Sequence, residues 1–182
     1  MKNGAQQEIL AALEAYQRRA PQCTAAPTML KFVRTDPAWW RRENPQGHLT
    51  ASAWIVDAAN DAALLVHHRT LNRWLQPGGH LENDPSVFAA AVREASEESG
   101  LASITPRSLE IFDLDIHEIP ARGDFPAHPH LDVRFVFEAD RSAPLVCSAE
   151  SNDLRWWSFS EMNAQMTDES VMRMVRKSLG HP

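Results

Sequence analysis

The chain has 182 residues, 43% of them hydrophobic, and 18 Lys and Arg against 24 Asp and Glu give it a net charge of −6. That length suits one compact domain, and the two cysteines, Cys23 and Cys147, could close at most one loop, which excludes a disulfide framework and favours reduced thiols in a cytoplasm. The apolar runs 62–66 and 87–92 fall far short of the roughly 18 residues of a membrane span, the opening residues do not predict a secretory leader, and net acidity argues against nucleic-acid backbone binding as the main task.

In chain order, Ile9, Leu10, Leu13 and Tyr16 recur at helical spacing within an amphipathic helix from Ala5 to Ala20, stopped by Pro21. From Pro21 to Gly47 the prolines 27, 37 and 45 and the run Trp39-Trp40-Arg41-Arg42 predict an irregular arm. Residues 1–46 are therefore expected to be a helix and arm packed on a domain of residues 47–182. Strands are expected over His48–Val56 and Ala62–His68, joined as a hairpin by the turn residues 57–61. The segment from Trp74 to His80 predicts a breaker-rich loop, followed by a helix from Ser86 to Ser99 that Gly100 ends. Leu109–Ile119 and His130–Glu138 predict an antiparallel pair, Arg155–Phe159 a short last strand, and Asp168–Leu179 a closing helix with Val171, Met172, Val175 and Leu179 on one side. Strands interrupted by one internal helix and flanked by terminal helices give an α+β domain, layered α/β/α.

The internal helix carries the chemistry. At about 100° per residue, Phe88, Val92, Ala95 and Ser99 form one stripe expected to face the core, and Glu94, Glu97 and Glu98 gather on a neighbouring face. Like charges at that spacing repel, so a cation is expected among them. Arg93 is one candidate, leaving two glutamates solvated. A hard divalent ion is the other, since Mg²⁺ takes carboxylates, waters and substrate phosphates as ligands. The glycines of Pro77-Gly78-Gly79 favour the second, because they let backbone and phosphate approach closely.

The run Gly79-x5-Pro85-x7-Arg93-Glu94-Ala95-Ser96-Glu97-Glu98-Ser99-Gly100-Leu101 resembles the box of the Nudix hydrolases, G-x5-E-x7-R-E-U-x-E-E-x-G-U with U apolar. Pro85 stands where the pattern has its first glutamate, with Asp84 and Glu82 just before it. The resemblance extends roughly from His48 to Phe159. It implies an α/β/α sandwich with a mixed sheet, a loop-helix-loop box and here an extra N-terminal helix. It also implies Mg²⁺-dependent or Mn²⁺-dependent hydrolysis of a diphosphate bond in a nucleoside diphosphate linked to another group. By position, Glu94, Glu97, Glu98 and the Gly79 carbonyl would be metal ligands and Arg93 their brace. The lost first glutamate puts that brace in question, with Asp84 or Glu82 as substitutes. The general base is a box glutamate or a residue on a later loop, for which Glu150 is the candidate.

Outside the box, His80, Arg69 and Arg134 are candidate contacts for the diphosphate, arginine because its fork matches phosphate oxygens. An Arg134 ion pair with Asp132 is the competing reading. His128 and His130 project to one side of an extended segment and with His67 or His68 would make a zinc site. Contact with phosphate or base is preferred, because no Cys pair or His-Glu-x-x-His pattern accompanies them. Of the tryptophans, one of Trp156 and Trp157 is expected in the core, and Trp39 and Trp40 are candidates for stacking on a base or covering a homodimer contact. Two further function classes stand beside the hydrolase. One is a non-catalytic ligand-binding module on the same fold, and the other an isoprenoid diphosphate isomerase, which needs a thiol that neither cysteine places near the box.

Overall fold

The computed structural model describes residues 3–166 and 168–180. Among the described residues five helices, α1 (Asn3–Arg19), α2 (Ala25–Thr35), α3 (Val87–Ser99), α4 (Phe159–Gln165) and α5 (Glu169–Ser178), accompany eight strands. The strands are β1 (His48–Val56), β2 (Ala62–His68), β3 (Arg73–Leu75), β4 (Gly78–His80), β5 (Thr105–Pro106), β6 (Asp113–Ile119), β7 (His128–Glu138) and β8 (Ser151–Ser158). They hydrogen-bond in the order β3-β2-β1-β7-β5, with β4 on β1, β6 on β7 and β8 on β2, an α+β arrangement as expected. By chain contacts the protein divides into two compact units, residues 1–51, 79–91 and 109–135 in one and 52–78, 92–108 and 136–182 in the other.

In the first unit, α1 buries Ile9, Leu13 and Tyr16. The stretch expected to be an irregular arm instead holds α2, which buries Ala26, Met29, Leu30 and Val33. Pro27 misleads because it lies in the first helical turn, where a missing N–H removes no intrahelical bond. Gln6 Nε2 donates to the Val33 carbonyl at 2.7 Å and joins the two helices. Arg19 donates to the Ile111 carbonyl at 2.8 Å, anchoring α1 to the approach to β6. Leu109, expected to open β6, is 73% exposed, and the strand starts four residues later. Trp39 is 3% exposed and therefore core rather than a stacking surface. Gly47 has φ +110°, and a Cβ there would meet the Pro129 carbonyl oxygen at 2.6 Å. Only glycine lets β1 enter so close to Pro129.

In the second unit β2 pairs along its length with β8, from Ala62 opposite Ser158 to His68 opposite Ser151. The last strand is accordingly longer than expected. Asp57 Oδ1 accepts from the N–H groups of Asp61 and Ala62, and Asn60 takes φ 56°, which closes the predicted hairpin turn. The segment expected to be a loop contributes β3 and β4, since β3 pairs with β2 from Val66 opposite Leu75 to His68 opposite Arg73. Breaker residues signalled the turn between these strands and hid the strands themselves. Helix α4 starts with a full capping box, Ser158 with Glu161. Asp168 caps α5, whose buried face is Val171, Met174 and Val175; Leu179 is 48% exposed and belongs to the outside. No described helix is long and apolar enough to cross a membrane.

Candidate active site

Helix α3 begins where Ser86 Oγ accepts from the Ala89 N–H at 3.1 Å. Ser86 is thus its cap, and Asp84, whose Oδ2 accepts from the Glu82 N–H at 3.1 Å, orders the preceding loop instead. The buried stripe of α3 is Val87, Ala91, Ala95 and Ser99, rotated from the expected one because Phe88 and Val92 are only half-buried. That rotation carries Glu98 to the edge of the core, where it is 7% exposed. Gly100 ends the helix at φ +67°, and a Cβ on it would meet Val146 Cβ at 2.5 Å.

The three glutamates occupy different environments. Arg93 Nη1 donates to Glu94 Oε1 at 2.8 Å and to Glu97 Oε2 at 2.9 Å, an i, i+4 pair. Side-chain exposure is 13% at Glu94 and 58% at Glu97. Glu98 Oε2 accepts from the Gly78 backbone N–H at 2.8 Å, so β4 holds one carboxylate oxygen in place. Burial raises the Glu98 pKa to about 7 against the favourable Gly78 bond, and the charges of Glu94, Glu150 and Glu97 add to the rise. Burial also raises the Glu94 pKa, with Arg93 opposing. This cluster carries more negative charge than Arg93 neutralises, and it is set where a divalent cation would relieve the repulsion.

Glu150 is exposed, yet its charge acts on both Glu94 and Glu98, so it stands within electrostatic reach of the cluster. Its carbonyl accepts from the Arg69 N–H at 3.1 Å, which places the exposed Arg69 beside it. Trp157 is the core tryptophan of its pair, 5% exposed, with Arg155 over its ring at 3.6 Å and Trp74 edge-on at 5.2 Å.

One sequence expectation is corrected. Arg134 is 1% exposed, its Nε donating to Asp132 Oδ2 at 2.7 Å and its Nη1 to Asp113 Oδ2 at 3.1 Å, with Asp115 Oδ2 3.3 Å from Nη2. Burial acts to lower its pKa, and the three aspartates outweigh that effect. A guanidinium so enclosed is a packing element and not a diphosphate contact; the ion pair with Asp132 is the reading that holds. His67 and His68, the alternative zinc partners, have neighbours of their own. His67 packs on Trp74 with ring centroids 5.1 Å apart, and His68 Nδ1 accepts from the Leu71 N–H at 3.2 Å. His80 lies among other imidazoles, 5.1 Å from His48 and 5.2 Å from His130 by ring centroids.

Among known proteins, a hydrolase of the NUDIX family from Clostridium perfringens has a similar structure, with 28% identity, a TM-score of 0.54 and coverage of 73% of this chain and 96% of that one. The Caenorhabditis elegans Ap4A hydrolase shares the fold at 18% identity and a TM-score of 0.56, covering 72% of this chain and 95% of its own. In sequence, the probable DHNTP pyrophosphohydrolase of Lactococcus lactis is 28% identical over 99 residues, 53% of this chain and 57% of that protein. Human diphosphoinositol polyphosphate phosphohydrolase 2 is 28% identical over 85 residues, 47% of each. The chain thus spans about half the length of these curated relatives. Residues 36–177 match the NUDIX domain, and with the glutamate helix and its glycine strand in place the chain belongs to that family.

Proposed function

We propose that this chain is a divalent-metal-dependent hydrolase that cleaves a diphosphate bond in a nucleoside diphosphate linked to another group, or in a similar small diphosphate. The observation that carries this reading is the arrangement of Glu94, Glu97 and Glu98 on the last turns of α3, with Glu98 oriented by the Gly78 N–H at 2.8 Å. The relatives named for pyrophosphate and polyphosphate hydrolysis support the reaction class.

Glu94, Glu97, Glu98 and the Gly79 carbonyl would hold Mg²⁺ or Mn²⁺, hard ions suited to oxygen donors. When bound, the ion supplies charge neutralisation on the phosphates and a water of lowered pKa. Arg93 keeps Glu94 and Glu97 at fixed positions before the ion arrives. Glu150 takes the proton of the attacking water as that oxygen bonds to phosphorus and the bridging P–O bond breaks. Arg69 and His80 are the remaining candidate phosphate contacts. The unpaired Cys23 and Cys147 suit a reducing cytoplasm.

The test is phosphate release from nucleotide sugars, dinucleoside polyphosphates, coenzyme diphosphates and nucleoside triphosphates, with Mg²⁺ and Mn²⁺ compared. Turnover of at least one class is expected, and Glu97→Gln and Glu98→Gln should each lose most of it while staying folded. Undiminished turnover in both variants overturns the metal assignment. Pro85, where the box pattern has a glutamate, motivates one competing reading. Tight ligand binding without hydrolysis across the panel would identify a binding module instead.

A further inference from the structure

The first unit gathers imidazoles that the carboxylate cluster does not use. His48 opens β1, and His128 and His130 stand two apart on β7 and so share a face. The ligand atoms of these three residues all lie within 4.8 Å of one another. Ring centroids are 5.2 Å apart for His48 and His128, 4.6 Å for His48 and His130, and 5.3 Å for His128 and His130. His117, opposite His130 in the β6 and β7 ladder, flanks the group at 5.7 Å from His130. Gly47, whose missing side chain admits β1 against Pro129, is what allows His48 to come so near.

Packing histidines this way has to be compensated. His48 is fully buried, and neither of its ring nitrogens has a hydrogen-bond partner among the described residues, an arrangement that leaves buried polar atoms unsatisfied. Neutral imidazoles with inward-facing lone pairs are metal ligands. His128 is fixed for that purpose, since its Nδ1 lies 2.9 Å from the Pro126 carbonyl. That contact puts the proton on Nδ1 and leaves the Nε2 lone pair for a metal, as the outer partners of metal-bound histidines do.

We infer that His48, His128 and His130 form a tris-imidazole site for Zn²⁺ or a similar borderline divalent cation, distinct in chemistry from the oxygen-donor cluster on α3. Zn–N bonds of about 2.1 Å put tetrahedral ligand atoms roughly 3.4 Å apart, so side-chain rotations of about 1 Å close the set. Three imidazoles leave a fourth position for water or a ligand oxygen, the pattern of reactive rather than purely structural zinc. The inference is independent of the hydrolase reading.

Chelator-stripped full-length protein is dialysed against Zn²⁺ and its metal content measured. Co²⁺ is then added as a spectroscopic probe for the visible bands of a tetrahedral nitrogen site. One zinc per chain is expected, retained in the combined Glu94→Gln, Glu97→Gln, Glu98→Gln variant. In His128→Gln and in His130→Gln, whose position is only half-buried, zinc affinity should fall by more than about 100-fold, beyond the roughly 10–100-fold that changes to outer partners alone produce. The Zn²⁺-induced rise in melting temperature should vanish with it. Wild-type protein that takes up no zinc, zinc binding lost with the glutamates, or binding unchanged in both folded histidine variants would each overturn the site.

Discussion

Arg134 pairs with three carboxylates and Arg93 with two of the three on its helix, yet their surroundings give the two groups opposite characters. Around Arg134 the aspartates 113, 115 and 132 and the arginine are closed off, with Asp113, Asp132 and Arg134 at 1–2% side-chain exposure. Thr50 adds a hydroxyl donor to Asp132 at 3.0 Å. Around Arg93 the carboxylates are spread from buried Glu98 to largely exposed Glu97, and Glu98 takes its hydrogen bond from a backbone amide. Composition is nearly the same in both. Burial and the direction of the donors decide which is a structural knot and which stays open to a further cation.

The comparison is sharpest if the same kind of change is made at both arginines. Arg134→Met should destabilise the protein by about 3–5 kcal/mol in urea unfolding, because it strands buried carboxylates without their cation. A loss below about 1 kcal/mol would show that the knot is looser than its geometry. The next effect belongs to Glu98. Its folded pKa is about 7 against an ordinary 4.5, so between those values the folded state keeps a proton that the unfolded chain has released. Stability of the metal-free protein from this group is therefore full below about pH 4.5 and falls as pH rises toward 7, by about 3 kcal/mol in all. The difference in unfolding free energy between wild type and Glu98→Gln, followed over pH 4.5–7.5 in chelator, should carry that slope; parallel profiles would mean that Glu98 is better solvated than its burial implies.

Smaller effects probe the helix that presents the open cluster. Ser86→Ala removes the cap and should lower stability by about 1 kcal/mol, leaving the metal concentration for half-maximal turnover unchanged if the glutamates depend only on their own turn. Arg93→Ala should show the reverse pattern, under about 1 kcal/mol in stability because the pairs are partly solvated, but a higher metal requirement as Glu94 and Glu97 repel unbraced. If it weakens substrate binding alone at saturating metal, Arg93 is a phosphate contact and not a brace.

What was legible in the sequence was local. The spacing of Glu94, Glu97 and Glu98, the helix stop at Gly100 and the hairpin turn at residues 57–61 are encoded within a few residues, and each took the expected place. Helix α2 was hidden by Pro27, and β3 and β4 by the breakers that separate them. The fate of Arg134 depended on Asp113, twenty-one residues away, and the histidine cluster on pairing the start of β1 with the start of β7. Such juxtapositions come from register and from Gly47, and no spacing rule along the chain exposes them. The stripe of α3 differs from the expected one because Val87 and Ala91 are buried where Phe88 and Val92 stay half-buried.

The bond from Gly78 N–H to Glu98 has a consequence for how the site tolerates genetic drift. A side-chain partner would tie the orientation of Glu98 to the identity of one codon. An amide partner is supplied by every amino acid but proline, so mutation at position 78 can alter the space around the carboxylate without removing the donor that aims it. The orientation of the glutamate is inherited from the course of the main chain, and substrate preference is free to diverge around it.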